Sequence, residues 1–459
     1  MRRRDLLAAA PAALLAACSQ SPRPARTATD AMIPSWLDAG PMIGHARTDG
    51  FVVWFRLARP TQWTATARFD GREIPPASVV DLGEGCVRVE FAGIPSATTT
   101  EVRIVPTDVT GDAAVLVATT APAASTIGRV RLAFGSCAKD VEFGAVPAFS
   151  AMAEVKPDFA LFLGDNSYFV RSASDRLFST DEGPGEWESE PLMLARHLAT
   201  RRRPELQALL RSTPCYAIWD DHDYGPNNSD RTFALRSESL RCFQRVWANP
   251  SYGTTTVQGV FSSFRRGPVE VFLTDGRFHR LSPRRAKELG TKPVIWGAEQ
   301  FAWLADGLRS SDAPVKIIAC GTQFMNQGEP DDGHWHEARD EFFALLERID
   351  SDRVGGVVFL SGDRHYSELM QLARTGKPSL VEFTSSPLQQ GRSLGPRDDG
   401  QPTRRFAMDG NSFGMVTIDV RGPRDGEITF ECRTETGERA VVAGEPMRLT
   451  LDLRELSWA

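Results

Sequence analysis

Four short stretches concentrate residue types that bind metal ions. They read Gly135-Ser136-Cys137, Gly164-Asp165-Asn166-Ser167-Tyr168, Asp220-Asp221-His222-Asp223 and Gly362-Asp363-Arg364-His365. A single Asp after an apolar run is ordinarily a helix cap or a turn former. Capping does not explain four such stretches in which carboxylates recur beside a thiol, a phenol and two imidazoles. Asp, His, Cys and Tyr together are metal-ligand chemistry. The neighbouring glycines let the backbone turn tightly and approach a ligand.

These stretches follow short apolar runs that read as buried strands, at residues 130–134, 159–163, 215–219 and 356–360. Two further runs, 269–273 and 315–319, lead into Thr274-Asp275-Gly276-Arg277 and Cys320-Gly321-Thr322. Helical stretches such as 299–309 and 337–350 lie between, so the pattern predicts an α/β domain. In open α/β sheets, ligands bind beyond the carboxyl ends of the strands, which is where the polar residues fall. Upstream, residues 50–57, 64–69, 87–91 and 102–105 read as strands, with Asp70-Gly71 as a hairpin turn. That spacing predicts a small β-sandwich over 34–122, joined by a linker at 121–128 to a second domain over 129–459. The tail, at 415–420, 428–432 and 448–453, returns to alternating strands.

Other catalytic frameworks are missing: there is no G-x-S-x-G elbow, no Walker A loop and no H-E-x-x-H. A thiol hydrolase built on Cys137 with His222 or His365 is chemically conceivable, but it leaves the surplus aspartates without a task. The segments 134–137, 157–168, 217–223, 274–277 and 360–367 resemble the alkaline phosphatase D (PhoD-like) family of metallophosphoesterases, which is related to purple acid phosphatases. Residues 50–60 resemble the opening strand of that family's N-terminal β domain. The resemblance runs from about residue 40 to 420.

The resemblance implies a metallophosphoesterase-type β-sandwich flanked by helices, with metals at the strand ends. It further implies a ferric iron held by Cys137, Asp165 and Tyr168, with a ligand from Asp363 or His365. A second metal, calcium, would share Asp165 and take Asp221, or Asp220 in its place. Thiolate and phenolate are anionic donors that suit a ferric ion. Where related enzymes carry a histidine, this chain reads Gly321-Thr322-Gln323, and an oxygen-rich second site suits calcium, magnesium or manganese. In the implied reaction, metal-activated water attacks the phosphorus of a phosphate ester. His222 would bind the phosphate or protonate the leaving oxygen, Asp223 would orient His222, and Arg277 would grip substrate or pair with Asp275. The alternatives are a phospholipase-D-like diesterase on the same fold and a non-catalytic phosphate-binding surface lipoprotein. Substrates would be small or polymeric phosphate esters, and the protein is expected to be a monomer.

The 459 residues carry a net charge of -6, which gives no general attraction to nucleic acid. Arg2-Arg3-Arg4, an apolar run and Ala16-Ala17-Cys18 read as a twin-arginine signal over 1–18 ending in a lipidated Cys18. Residues 19–33 would then tether an exported protein, periplasmic or at the outer surface, to a membrane. The other six cysteines are scattered and, Cys137 apart, read as core residues. Arg201-Arg202-Arg203 reads as a solvated helix start, His334 and His336 as surface residues before a helix, and Arg364 as turned away from the metals.

Overall fold

Strand alternation sorts the apolar residues of one sheet into two cores. Val271, Leu273, Ile317, Ala319, Val358 and Leu360 join one buried cluster, whereas Phe272, Ile318 and Phe359 join another. Successive side chains of a strand face opposite ways, so a sheet that is apolar on both faces must be covered on both. In the computed structural model, which describes residues 33–170, 185–328, 333–390 and 401–458, this sheet has seven strands. Their order is Ser262–Arg266, Val269–Leu273, Val315–Ala319, Val357–Ser361, Lys377–Thr384, Ser367–Arg374 and Arg404–Met408. Helices Gly297–Ser310 and Arg339–Ser351 cover one face, burying Leu304, Leu308, Phe342 and Leu345.

The other face packs on a six-stranded sheet of order Cys215–Ile218, Phe159–Leu163, Gly128–Gly135, Ser412–Val420, Gly426–Thr434 and Arg448–Asp452. Phe383 of the first sheet meets Phe134 of the second edge-on at 5.1 Å. On the far side Phe149 of helix Pro147–Glu154 packs on Phe162 at 6.0 Å. The architecture is the expected helix-flanked α/β sandwich. Within each sheet the strands that precede the polar stretches are parallel. Their carboxyl ends therefore collect along one rim.

Ahead of this sandwich, two four-stranded antiparallel sheets enclose Trp36, Phe51, Phe55, Phe91, Val102 and Ile104. Strands Trp63–Phe69 and Arg72–Ile74 pair as a hairpin, with φ of 47° at Asp70 and 73° at Gly71. Two consecutive positive φ values match the twist of a two-residue hairpin turn. This layer is fastened to the larger sandwich: Trp54 Nε1 donates to Arg245 O at 2.8 Å, and His45 Nδ1 lies 3.4 Å from Tyr216 Oη.

The arginine triplet corrects an expectation. Arg201 is the last residue of helix Glu190–Arg201 and is buried. Its guanidinium lies 4.2 Å from the Trp247 ring and 5.8 Å from the Trp54 ring, with Nε donating to Val246 O. Helical phase turns this one arginine inward, while Arg202 and Arg203 pair with Asp38 and Asp140. His334 is likewise buried, stacked on Phe324 at 4.6 Å rather than facing solvent. Cys86, Cys137, Cys215, Cys242, Cys320 and Cys432 are all free and buried. Among the described residues no helix is long and apolar enough to cross a membrane. The predicted signal, Cys18 and nearly all of the tether lie outside the described residues.

Candidate metal centre

Cys137, Asp165, Asp363 and His365 share an uncommon backbone state, with φ of 58°, 53°, 71° and 55°. Side-chain-bearing residues rarely adopt it, and it costs on the order of 1–3 kcal/mol per residue. Each lies just past a strand end, where a left-handed residue turns the chain sharply. Glycines admit the close approach: a Cβ on Gly164 would lie 2.5 Å from Asp220 Cβ, and one on Gly362 would lie 2.5 Å from Ser136 Oγ.

Asp165 is at the centre of the resulting cluster. Its Oδ2 accepts from Tyr168 Oη at 3.0 Å and from Cys137 Sγ at 3.5 Å, and its Oδ1 accepts from the His222 backbone N–H at 3.2 Å. Tyr168 Oη lies 3.5 Å from His365 Nε2, and the Tyr168 ring stacks on His222 at 4.5 Å. Ligand atoms of Cys137, Asp165 and His365 all fall within 4.8 Å of one another. The same holds for Asp165, Asp221 and His222, and for Asp220, Asp221 and Asp363. Of the seven predicted site residues other than Arg277 and Asp223, six converge through these groups and the seventh, Tyr168, joins through its hydroxyl on Asp165; Asp220, the alternative to Asp221, enters beside it.

The electrostatics of the cluster call for a cation. Burial, then the charges of Asp165 and Asp363, push the Cys137 thiol well above its usual range. Burial and Asp165 do the same to the Tyr168 phenol. Burial and the neighbouring Asp221 and Asp220 raise the Asp165 carboxyl. Burial also opposes ionisation of Asp221, yet His222, Arg277 and the Asn228 N–H hold it below the usual carboxylate range. Burial lowers His365 to about 4. Asp221 Oδ1 is buried and accepts no hydrogen bond among the described residues, an arrangement that is costly unless a cation meets it. A bound metal reverses this pKa logic and favours thiolate and phenolate. The donor set therefore fits metal ions.

Two sequence-based roles need correction. Asp223 does not orient the His222 ring. Its carboxylate accepts from the backbone N–H groups of Asp220 at 2.7 Å, Asp165 at 3.1 Å and Asn166 at 3.1 Å, and from Asn166 Nδ2 at 2.8 Å. It clasps two strand ends together. Burial and the Asp220 charge push its carboxyl up to about 7. Arg277 is fully buried, with Nε donating to Asp220 Oδ1 at 2.5 Å and Nη2 lying 3.9 Å from Asp221 Oδ1. Its guanidinium meets the carboxylates of Asp220 and Asp221 and has no exposure to solvent. Its backbone N–H, with that of Phe278, donates to Asp275.

Several supporting residues carried no sequence signal. Asn166 ties Ile218 O to Asp223, Ser386 Oγ accepts from the His365 N–H at 2.9 Å, and Asn228 N–H donates to Asp221 Oδ2 at 2.8 Å. Gln323, at the position of the expected departure, is buried and donates to Glu368 and Thr384. Arg364 Nε lies 3.4 Å from Tyr366 Oη.

The structure of PhoD matches this chain with a TM-score of 0.71 and 20% sequence identity, covering 91% of this chain and 89% of that one. The structure of purple acid phosphatase PPD1 from yellow lupin (Lupinus luteus) seeds matches with a TM-score of 0.60 and 10% identity, covering 93% and 76%. At such identities the likeness shows the fold alone. No curated protein matches the chain in sequence. The family model described as PhoD-like phosphatase matches residues 132–434, a span that contains every donor from Cys137 to His365. The chain belongs to the PhoD-like phosphatase family and is a metal-dependent phosphoesterase.

Proposed function

We propose that the protein is an exported phosphoesterase that cleaves phosphomonoesters and phosphodiesters at a two-metal centre. Cys137, Asp165, Tyr168 and His365 would hold ferric iron. Asp165, Asp221 and Asp363 would hold calcium, with magnesium or manganese as substitutes of the same oxygen-preferring kind. The observation that carries this reading is the Asp165 carboxylate, shared by a sulfur-, phenol- and imidazole-bearing group and by a group containing Asp221 and His222. His365 groups with Cys137 and Asp165, whereas Asp363 groups with Asp220 and Asp221, which supports assigning them to different metals.

Bound there, the metals supply Lewis acidity toward phosphoryl oxygens and lower the pKa of water. The chain's residues do the rest. His222 stacks on Tyr168 and is partly exposed, so its ring can bind a phosphoryl oxygen or give a proton to the leaving oxygen. Asp223 fixes the backbone at Asp165 and Asp220, and Arg277 pairs with Asp220, which would leave Asp221 to hold the second metal. Tyr168 and Asp165 are buried, which keeps bulk water off the carboxylate that both metals would share. The residues Arg2-Arg3-Arg4 and Ala16-Ala17-Cys18 support export through a twin-arginine signal and tethering through a lipid on Cys18.

The test is metal content with an absorption spectrum, on protein exported through its own signal. About one iron per chain and a visible charge-transfer band are expected, both lost in Cys137→Ala and in Tyr168→Phe. Colourless, iron-free protein with full phosphodiesterase activity would overturn the iron assignment. Colourless and inactive protein would overturn the two-metal reading.

A further inference from the structure

Lys139 stands two residues beyond Cys137 and outside the donor set. Its backbone N–H donates to Gln389 O at 2.8 Å, which fixes the main chain there. Its ammonium lies 5.6 Å from the centroid of the Tyr168 ring, a cation–π distance. Nζ is also 2.8 Å from Glu142 Oε2, with side-chain exposures of 24% for Lys139 and 10% for Glu142. The ammonium thus sits between the Glu142 carboxylate and the Tyr168 ring. Tyr168 brings the same region together from the other direction, since His222 stacks on it and His365 meets its hydroxyl. Lys139, His222 and His365 surround one buried phenol, and all three are partly exposed. Arg364, the neighbouring cation, is drawn to Tyr366 instead, with its guanidinium 5.6 Å from that ring.

We propose that Lys139 is a specificity residue that favours phosphomonoesters over phosphodiesters by contacting the additional anionic oxygen of the monoester. The proposal rests on the phosphoesterase reading above. At alkaline pH a phosphomonoester carries two negative charges and a diester one. His222, and the metals when bound, would engage the oxygens both substrates share. The Lys139 ammonium would form a charge-assisted hydrogen bond to the extra oxyanion only when that oxyanion is present. Glu142 competes for the same ammonium and so moderates the preference.

The test compares kcat/KM for p-nitrophenyl phosphate and bis(p-nitrophenyl) phosphate in the metal-loaded full chain. Lys139→Met should lower the monoester value about tenfold and the diester value less than about twofold, the scale of one charged hydrogen bond. Lys139→Arg should restore the wild-type ratio, and Glu142→Gln should raise it. Equal losses on both substrates, or an unmoved ratio in all three variants, would overturn the role of Lys139 and leave the phosphoesterase reading intact. Wild-type protein with full metal content that cleaves neither ester would overturn the underlying reading instead.

Discussion

Arg277 Nε donates to Asp220 Oδ1 at 2.5 Å, and neither side chain has any exposure to solvent. A buried pair is not strongly stabilising in itself, but removing one partner strands a charge and costs about 3–5 kcal/mol. Arg277→Met should therefore lower the unfolding free energy of metal-free protein by about that amount, measured by denaturant titration. The double variant Arg277→Met/Asp220→Leu should recover most of the loss. Equal instability of the single and double variants would show that the pair is not coupled as described.

Asp165 is crowded by Asp220, Asp221 and Asp363, and the crowding matters most when no cation is bound. Asp165→Asn removes one like charge. An asparagine can keep an oxygen on the His222 N–H and turn its amide toward Tyr168 Oη and Cys137 Sγ, which donate to Asp165 in the native protein and can rotate their protons away to accept. In metal-free protein at pH 8 the variant should unfold at higher denaturant than wild type, by roughly 1 kcal/mol. With metals supplied, the order should reverse, because only wild type gains stability by binding them. A metal-free variant weaker than metal-free wild type would contradict the crowding argument.

His45 gives the pH dependence of the joint between the two sandwiches. Burial, with the Arg47 charge, lowers its pKa from 6.5 to about 4. Between those values the unfolded chain takes up a proton that the folded chain refuses. Stability is then fully present above about pH 6.5 and is lost as pH falls toward 4, by at most about 3 kcal/mol. His45→Gln should flatten that part of the pH profile of the denaturation midpoint. A slope unchanged in the variant would assign the effect to other groups.

That these polar residues gather at strand ends was legible in sequence, because they follow apolar runs whose period and length mark buried strands. Which of them would hold a metal came from the family resemblance, and spacing did not separate Asp363 from His365. The supporting residues were not legible, because tertiary direction decides what they touch. Asp223 is adjacent to His222 in sequence, yet its carboxylate points to the backbone of another strand end. Arg277 read as a loop residue that would grip substrate or pair with Asp275, but its guanidinium meets Asp220, which lies 57 positions earlier. Arg201 is the same residue type as Arg202 and Arg203, but it alone of the three lies within the helix, on its buried side. Strand Leu37–Arg47, the longest among the described residues at 11 residues, is not legible because Gly40-Pro41 and Gly44 interrupt its apolar pattern.

Tyr168 and His365 meet at the centre although 197 residues separate them in the chain, and they follow strands of different sheets. Closing so long a loop is entropically expensive and gains nothing until both sheets have formed around it. The full ligand set therefore cannot assemble on a nascent or half-folded chain. Metal capture by this cluster would then be a checkpoint for completed synthesis: metal-loaded protein in a growing culture would report only molecules whose last strands are in place.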